Sequence, residues 1–188
     1  SSSLADTYSK GKETMEKLII ETLKSVFSEV DDDFVEKSEF ASHGSTATTA
    51  LLVGNMLFCA NTGDSRTLLC RNFKAVPMTE DHKPSREDEA NRIRAAGGFV
   101  FNNRVLGELA VSRAFGDSDF KKGIQSVIGE EASPPKIGGP EGDENPNWDQ
   151  PLIIAEPDIK VATLTERDQF LLLACDGLFD VFSEDDIV

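Results

Sequence analysis

A regular spacing of apolar side chains predicts a long amphipathic helix near the start of the chain, over residues 12–30. Apolar residues recur there every three or four positions, which places them on one face of a helix: Met15, Leu18, Ile19, Leu23, Val26 and Phe27. The three acids at residues 31–33 interrupt this pattern. We expect the helix to end near them and to pack its apolar face on another part of the fold.

The sequence that follows is β-rich and predicts an antiparallel meander of four strands. These strands are residues 48–53, 56–60, 66–70 and 74–78. The Gly54-Asn55 pair joins the first two as a two-residue hairpin turn. We expect strands that neighbour each other along the chain to pair in one sheet.

The remaining predicted elements are a second helix, a hairpin and three strands. In chain order they are a helix from Ser85 to Ala96, a hairpin of residues 99–101 and 104–106, and strands at 152–155, 159–164 and 169–175. Ser85, with Asp88 three residues later, has the spacing of a helix N-cap. The Asn102-Asn103 pair tolerates the positive φ angles that a two-residue hairpin turn requires.

Two stretches of the chain depart from regular patterning. Residues 118–151 are rich in proline, glycine and acids, so we expect an acidic surface insertion there. A loop of that length is either functional or a disordered insertion without function, and both alternatives stay open. Near the end of the chain, Ser183 and Asp186 have capping-box spacing, which predicts one more helix start.

Composition is typical of a globular domain with an acidic surface. Of 188 residues, 39% are apolar and 28% are charged, which fits a single domain over residues 1–188. The 34 acids exceed the 19 basic residues and give a net charge of −15. This charge excludes nucleic acid and anionic lipid as expected partners and favours divalent cations. The longest apolar run, residues 170–175, is too short for a membrane span and fits a buried strand.

Cysteine content and the first residues bear on the cellular compartment. Cys59, Cys70 and Cys175 are odd in number and lie in apolar runs, so we expect buried, reduced thiols in an intracellular protein, cytoplasmic or nuclear. The first residues have neither an initiator methionine nor the basic and apolar segments of a signal peptide. We therefore expect a piece excised from a longer polypeptide.

Three aspartates at strand ends form a candidate metal site. Asp176 follows the apolar run of the last strand, Asp180 lies four residues later, and Asp64 lies in the turn Gly63-Asp64-Ser65. Carboxylates that share a small volume need a cation between them, and oxygen donors without histidine or cysteine favour Mg²⁺ or Mn²⁺. Asp-Gly and Gly-Asp are also ordinary turn dipeptides, so turns without a metal remain the alternative.

Other polar residues are open to two interpretations. Residues 31–33 could bind calcium, but their ligand spacing is poor, and we expect solvated charge at a helix end. For His82 and His43 we expect capping, hydrogen-bonding or loop roles, because neither has a recognisable serine or cysteine nucleophile as partner. Arg104 and Arg113 either contact a substrate phosphate or tie loops together.

Several short segments form an ordered set along the chain. They are Gly44-Ser45-Thr46-Ala47, Ala60-Asn61-Thr62-Gly63-Asp64-Ser65-Arg66, Asp81-His82-Lys83-Pro84, Arg92-Ile93 with Gly97-Gly98, Arg104-Val105 with Gly107, Leu109-Ala110-Val111-Ser112-Arg113-Ala114-Phe115-Gly116-Asp117, Glu156-Pro157-Asp158, and Leu173-Ala174-Cys175-Asp176-Gly177-Leu178-Phe179-Asp180-Val181. In this order and approximate spacing they resemble the metal-dependent, type-2C (PPM) protein serine/threonine phosphatases. The resemblance covers nearly the whole chain from Gly44 onward.

The resemblance implies an α+β fold of two packed antiparallel β-sheets flanked by helices. It implies hydrolysis of phosphoserine and phosphothreonine in proteins by a metal-activated water, without a covalent phosphoenzyme. Asp176 is then a ligand of a Mg²⁺ or Mn²⁺ pair, and Asp64, Asp176 and Asp180 surround a third metal. Residues 92–117, with Arg104 and Arg113, resemble the flap beside the active site. The implied partner is a phosphoprotein substrate, and we expect a monomer.

Three features of the family are missing from these residues. The early Asp-Gly-His-Gly-Gly segment, which supplies the carboxylate that bridges both metals, does not occur, since the single Asp-Gly is Asp176-Gly177. The upstream phosphate-binding arginine and the late Asp-Asn ligand are also missing. We expect these in a parent protein, with the fold incomplete at both ends and little turnover by this chain alone. The alternative is a catalytically inactive pseudophosphatase or regulatory binding module.

Overall fold

Helices and short strands alternate irregularly along the chain. The computed structural model describes residues 4–39, 42–124 and 149–188. Its helices are α1 (Leu4–Lys37), α2 (Glu87–Ala95), α3 (Asp176–Phe179) and α4 (Glu184–Ile187), with a 3₁₀ turn at Ser118–Phe120. Its strands are β1 (Gly44–Ser45), β2 (Ala47–Val53), β3 (Met56–Thr62), β4 (Arg66–Arg71), β5 (Ala75–Pro77), β6 (Val100–Phe101), β7 (Arg104–Val105), β8 (Phe115–Gly116), β9 (Asp158–Thr163) and β10 (Asp168–Ala174).

Two three-stranded antiparallel sheets pack against each other. One has the strand order β2–β3–β9 and the other β10–β4–β5. Buried side chains from both sheets meet in one apolar core, made of Leu57, Cys59, Leu69 and Met78. Two shorter pairs, β1 with β8 and β6 with β7, lie outside these sheets. This α+β architecture confirms the predicted fold class.

The predicted four-strand meander is divided between the two sheets. β2 pairs with β3 along its whole length, and β4 pairs with β5, as expected. β3 and β4 are not neighbours, because the second edge of β3 pairs with β9. Residues 63–65 therefore carry the chain from one sheet to the other.

A second apolar core joins α2, the β6–β7 hairpin and residues 152–153. Its buried members are Ile93, Ala96, Val105, Ala114, Ile124, Leu152 and Ile153. The predicted strand at 152–155 is wrong, since these residues form only a single bridge, between Ile154 and Arg113. The apolar run is explained by the entry of its side chains into this core.

Turns and helix caps agree with the predictions except at the start of α2. The Asn102-Asn103 pair has φ angles of 50° and 57°, which confirms the hairpin turn. Ser183 and Asp186 form the predicted capping box at α4. At α2 the cap residue is Arg86, without a side-chain cap, and the main-chain N of Ser85 instead donates to Asn103 Oδ1 at 3.1 Å. Contact with the hairpin thus decides where Ser85 lies.

Helix α1 is longer than predicted and runs through the three acids without interruption. Phe27 is 4% exposed, and its ring centroid lies 5.3 Å from that of Phe115. Asp31 is 8% exposed, accepts a hydrogen bond from the main-chain N of Gly116 at 2.8 Å and contacts Lys121 Nζ. The prediction of solvated charge is therefore wrong for Asp31, because the helix turns this carboxylate towards β8.

Only part of the apolar stripe of α1 is covered by the described residues. Leu18 and Val26 are 62% and 45% exposed, whereas Phe27 is buried. β10, predicted as a buried strand, also exposes Phe170 and Leu173, at 43% and 40%. Within the described ranges β10 is the outer strand of its sheet, so one side of these residues has no neighbouring strand.

The three cysteines are free thiols with different surroundings. Cys59 and Cys70 are buried, as predicted, and burial raises the pKa of Cys59 to about 11 against the lowering effect of Lys160. Cys175 is exposed, contrary to the prediction, because it lies in the turn between β10 and α3 rather than in the strand. None of the helices in the described ranges combines the length and apolar character that a bilayer crossing requires.

Candidate functional site

The ladder between β4 and β10 brings two predicted metal ligands to one end of a sheet. Ala174 of β10 lies opposite Arg66 of β4. Because the strands are antiparallel, Asp176 and Asp64 each lie two residues beyond this pair, at the same end of the sheet. Two turns that are far apart in the sequence therefore meet at the same sheet end.

Helix α3 brings Asp180 to the same region. Asp176 begins this helix, and the main-chain N of Asp180 donates to the carbonyl oxygen of Asp176 at 2.8 Å, so one turn separates the two acids. Asp176 and Asp180 are exposed, whereas Asp64 is 8% exposed. Across residues 4–39, 42–124 and 149–188, no three histidine, cysteine or acidic side chains form a group arranged to hold a metal ion.

Asp64 forms an ion pair with Lys83. The Nζ atom of Lys83 contacts Oδ2 of Asp64. The Asp64 side chain is 10% exposed and the Lys83 side chain 35%. A carboxylate so far removed from water needs a compensating partner, and the ammonium group supplies it. No local pattern marks Lys83 as a site residue, although it lies in one of the segments that carry the family resemblance.

His82 holds the turn that carries Asp64. It is 0% exposed, and its Nδ1 accepts a hydrogen bond from the main-chain N of Gly63 at 3.0 Å. Its own main-chain N donates to the carbonyl oxygen of Gly63, also at 3.0 Å. The ring proton is then on Nε2, which lies 3.1 Å from Asp158 Oδ2 but outside hydrogen-bond geometry. The expected hydrogen-bonding role of His82 is confirmed.

Arg66 links β4 to the two helices at the end of the chain. Its Nε and Nη2 atoms donate to both carboxylate oxygens of Asp81, at 2.6 and 2.8 Å. Its guanidinium lies 5.1 Å from the ring centroid of Phe179 and 3.7 Å from a carboxylate oxygen of Glu184. The hydrogen bonds that Arg66 donates to Asp81 raise the pKa of Arg66, and the charge of Asp180 adds to this effect. A permanent cation therefore lies beside the candidate metal ligands.

Arg113 lies in a buried network. It is 9% exposed, and its Nη2 donates to Glu89 Oε1 at 2.7 Å while its Nη1 donates to Asp158 Oδ1 at 3.0 Å. The contact with His82 and the charge of Arg113 hold the pKa of Asp158 well below its usual range. These contacts match the loop-tying alternative for Arg113. Arg104 is exposed and donates to a carbonyl oxygen of its own hairpin at 2.5 Å. A phosphate contact stays a prediction for both arginines.

The donor set at this sheet end fits a hard divalent cation. The three predicted ligands offer carboxylate oxygens, the donors that Mg²⁺ and Mn²⁺ prefer. Asp176 and Asp180 are exposed and accessible to an ion from solvent. Asp64 already balances its charge with a cation, Lys83. The donor chemistry of these residues therefore suits a divalent metal, while Asp64 is paired with Lys83 in this structure.

Substituting Gly63 with alanine is expected to destabilise the full-length protein by about 2–4 kcal/mol. Gly63 has a φ angle of +99°, and an added Cβ would lie 2.3 Å from Thr46 Cγ2. The change also displaces Asp64, the next residue. Urea unfolding measures the loss in the free energy of unfolding. The matched control is Gly54→Ala, which has a φ angle of +61° but open space around the new Cβ and should cost only about 1 kcal/mol. Equal losses for both variants would contradict the packing argument.

Comparison with known proteins gives a consistent set of relatives. The family model described as "Protein phosphatase 2C" matches residues 2–188. The chain is 39% identical over 171 residues to Protein phosphatase 2C homolog 3 of Schizosaccharomyces pombe, covering 90% of the chain and 36% of that relative. It is 43% identical over 152 residues to Protein phosphatase 2C homolog 2 of Hypocrea jecorina, covering 81% and 30%.

Solved structures share the fold. The crystal structure of serine-threonine phosphatase 2C from Toxoplasma gondii matches with a TM-score of 0.71 at 24% identity, over 95% of this chain and 56% of that chain. The structure of a sex-determining protein from C. elegans matches with a TM-score of 0.67 at 29% identity, over 88% and 35%. The chain thus spans about a third of the first two curated relatives and up to about half of these solved chains.

Proposed function

Because this chain belongs to the protein phosphatase 2C family, we propose that it forms part of a catalytic domain that hydrolyses phosphoserine and phosphothreonine in proteins with the help of divalent metal ions. The observation that supports this proposal is the β4–β10 ladder, because Asp176 and Asp64 each lie two residues beyond its last pair, at the same end of the sheet. Carboxylate oxygens from separate segments at one sheet end are donors that suit a hard cation. Metal-assisted hydrolysis is the chemistry that such a site supports.

In the proposed mechanism Asp64, Asp176 and Asp180 hold Mg²⁺ or Mn²⁺, with two or three ions in the complete domain. When bound, these ions lower the pKa of an attacking water and neutralise the phosphoryl oxygens. The hydrogen bonds between His82 and Gly63 keep the Asp64 turn in place. Asp176 and Asp180 lie at the exposed side, from which a phosphorylated segment can approach.

The proposed substrate is a phosphoprotein, and we expect the protein to act as a monomer inside the cell, cytoplasmic or nuclear. Residues 92–117 correspond to the proposed flap. A contact with the substrate phosphate is proposed for Arg104, which is exposed, and for Arg113, which also joins the end of the flap to Glu89. Of the proposed acidic insertion at 118–151, residues 125–148 lie outside the described part of the chain.

Phosphate release from a phosphothreonine peptide by the full-length protein tests the proposed function. We expect release only with Mn²⁺ or Mg²⁺, complete loss after chelation, and recovery when the metal is added back. A phosphotyrosine peptide of the same sequence is the matched control and should release little phosphate. A wild-type protein that is folded by circular dichroism yet inactive with either metal would contradict the proposal and support the pseudophosphatase or regulatory alternative.

A further inference from the structure

Lys83 forms an ion pair with Asp64, the carboxylate that the proposed function assigns to a metal. Its Nζ atom contacts Oδ2 of Asp64, which is the more buried partner of the pair. Arg66, two residues from Asp64, uses both arms of its guanidinium on Asp81. The charge of Asp64 is therefore balanced by Lys83 and not by Arg66, although Arg66 is nearer in the sequence.

The backbone around Lys83 is anchored to the Asp64 turn. The preceding residue, His82, exchanges two hydrogen bonds with Gly63, and its carbonyl oxygen accepts bonds from the main-chain N and the Oγ of Ser112, both at 2.9 Å. The carbonyl oxygen of Lys83 itself accepts a bond from the main-chain N of Arg86 at 2.9 Å. The segment is thus held on both sides, and Lys83 is presented to Asp64 by buried contacts.

The side chain of Lys83 is free to leave without disturbing this anchoring. It is 35% exposed, and a lysine reaches its partner through a flexible four-carbon stem. A divalent ion bound to Asp64 would lie within a few ångströms of an ammonium group on the same carboxylate, and the two cations would repel each other. Metal binding at Asp64 and the Lys83–Asp64 pair therefore oppose each other.

We propose that Lys83 is a built-in counter-ion of Asp64 that a divalent cation displaces, so that Lys83 sets the affinity and occupancy of the metal held by Asp64. This inference rests on the proposed role of Asp64 as a metal ligand. In the metal-free protein Lys83 stabilises the nearly buried carboxylate. In the metal-loaded protein its ammonium group turns to solvent, and the lost ion pair weakens metal binding.

Mn²⁺ binding to the full-length protein, measured by electron paramagnetic resonance or titration calorimetry, tests this inference without an activity assay. Lys83→Gln should tighten the weakest Mn²⁺ site by about tenfold, and Lys83→Met, a second neutral variant of similar length, should do the same. Lys83→Arg keeps the charge and should remain within about threefold of wild type. Unchanged or weaker Mn²⁺ binding in both neutral variants would overturn the inference.

Thermal unfolding supplies a second readout. Without metal, Lys83→Gln should unfold at a lower temperature than wild type, and saturating Mn²⁺ should raise its midpoint by more than it raises that of wild type. The matched control is Lys160→Gln, which removes an exposed lysine that donates to the carbonyl oxygen of Pro77. This control should leave the Mn²⁺ affinity unchanged. Tighter Mn²⁺ binding in Lys160→Gln as well would overturn the specific role of Lys83.

Asp64→Asn separates failure of this inference from failure of the proposed function. If Asp64→Asn leaves every Mn²⁺ site unchanged, Asp64 is not a metal ligand and both proposals fail at this residue. If Asp64→Asn weakens one site while the neutral Lys83 variants leave it unchanged, the metal assignment stands and the displacement of Lys83 is wrong. Weaker Mn²⁺ binding in Asp64→Asn together with tighter Mn²⁺ binding in Lys83→Gln supports both proposals.

Discussion

Replacing Asp176 with asparagine is expected to lower metal-dependent phosphate release by about a thousandfold or more, because several kcal/mol of transition-state stabilisation depend on the held ions. Asparagine keeps the shape of the side chain but removes the negative charge. Asp176 begins α3, and both Asp176 and Asp64 lie two residues beyond the last pair of the β4–β10 ladder. It is exposed, so the fold should tolerate the change. Steady-state kinetics with a phosphothreonine peptide and saturating Mn²⁺ measure the loss.

The control for this variant is Asp185→Asn. Asp185 is an exposed acid in the first turn of α4, nine positions further along the chain. Removing its charge should change kcat and KM by no more than about twofold, because a solvated charge outside the site is screened. An Asp176→Asn protein that keeps more than about a tenth of wild-type turnover would contradict the assignment of Asp176 as a metal ligand.

Replacing Glu89 with alanine is expected to lower the free energy of unfolding by about 3–5 kcal/mol, the cost of breaking a buried ion pair. Glu89 is 1% exposed. Its Oε1 accepts from Arg113 at 2.7 Å and its Oε2 accepts from Arg92 at 2.9 Å. Alanine leaves two guanidinium groups without their shared carboxylate and opens a cavity at the base of the proposed flap. Denaturant unfolding of the full-length protein measures the loss.

Glu87→Ala is the matched control for Glu89. Glu87 is exposed in the first turn of the same helix, so its removal should change the free energy of unfolding by no more than about 0.5 kcal/mol. A loss below about 1 kcal/mol in Glu89→Ala would mean that Arg113 and Arg92 find other partners or water. In that case the ion pairs of Glu89 would not be the contacts that hold α2 to residues 112–113.

The Glu89 network also predicts a loss of stability in acid. Burial by itself raises the pKa of Glu89, but the hydrogen bond from Arg113 and the charge of Arg92 outweigh it and leave the pKa below its usual value. Such a carboxylate stabilises the fold above its unfolded pKa of about 4.3, and this contribution is lost as the pH falls through the lower folded pKa. Between about pH 5 and pH 2, Glu89→Gln should show a shallower fall in unfolding free energy than wild type.

The strands of the sandwich could be predicted from the sequence because their determinants are local. Gly54-Asn55 between two β-rich runs produces the β2–β3 hairpin, and Asn102-Asn103 produces the second hairpin. Sheet membership could not be predicted in the same way. Whether β4 joins β3 depends on β9, which lies about 90 residues further along the chain and takes the second edge of β3.

Two buried charged residues show that a local sequence pattern does not determine the surroundings of a side chain. Asp31 has the sequence context of a solvated helix end, yet Gly116 and Lys121 hold it in the interior. For Arg113 the sequence left two interpretations open, a phosphate contact or a loop tie, and the structure supplies the partners of a tie, Glu89 and Asp158. In both cases the partner is distant in the chain, and a charged side chain is buried only where that partner meets it.

The sequence by itself determined most strand and turn positions and the three candidate metal ligands, because hydrophobic period, turn chemistry and carboxylate type are properties of short segments. The fold class followed from the family resemblance of several such segments. Only the tertiary structure decided which strands share a sheet and that the turns of Asp64 and Asp176 lie at the same end of one sheet. The tertiary structure alone showed that Lys83 pairs with Asp64 and that His82 accepts a hydrogen bond from the adjacent Gly63. These arrangements depend on long-range pairing and on the exclusion of water, and neither is encoded in the spacing of neighbouring residues.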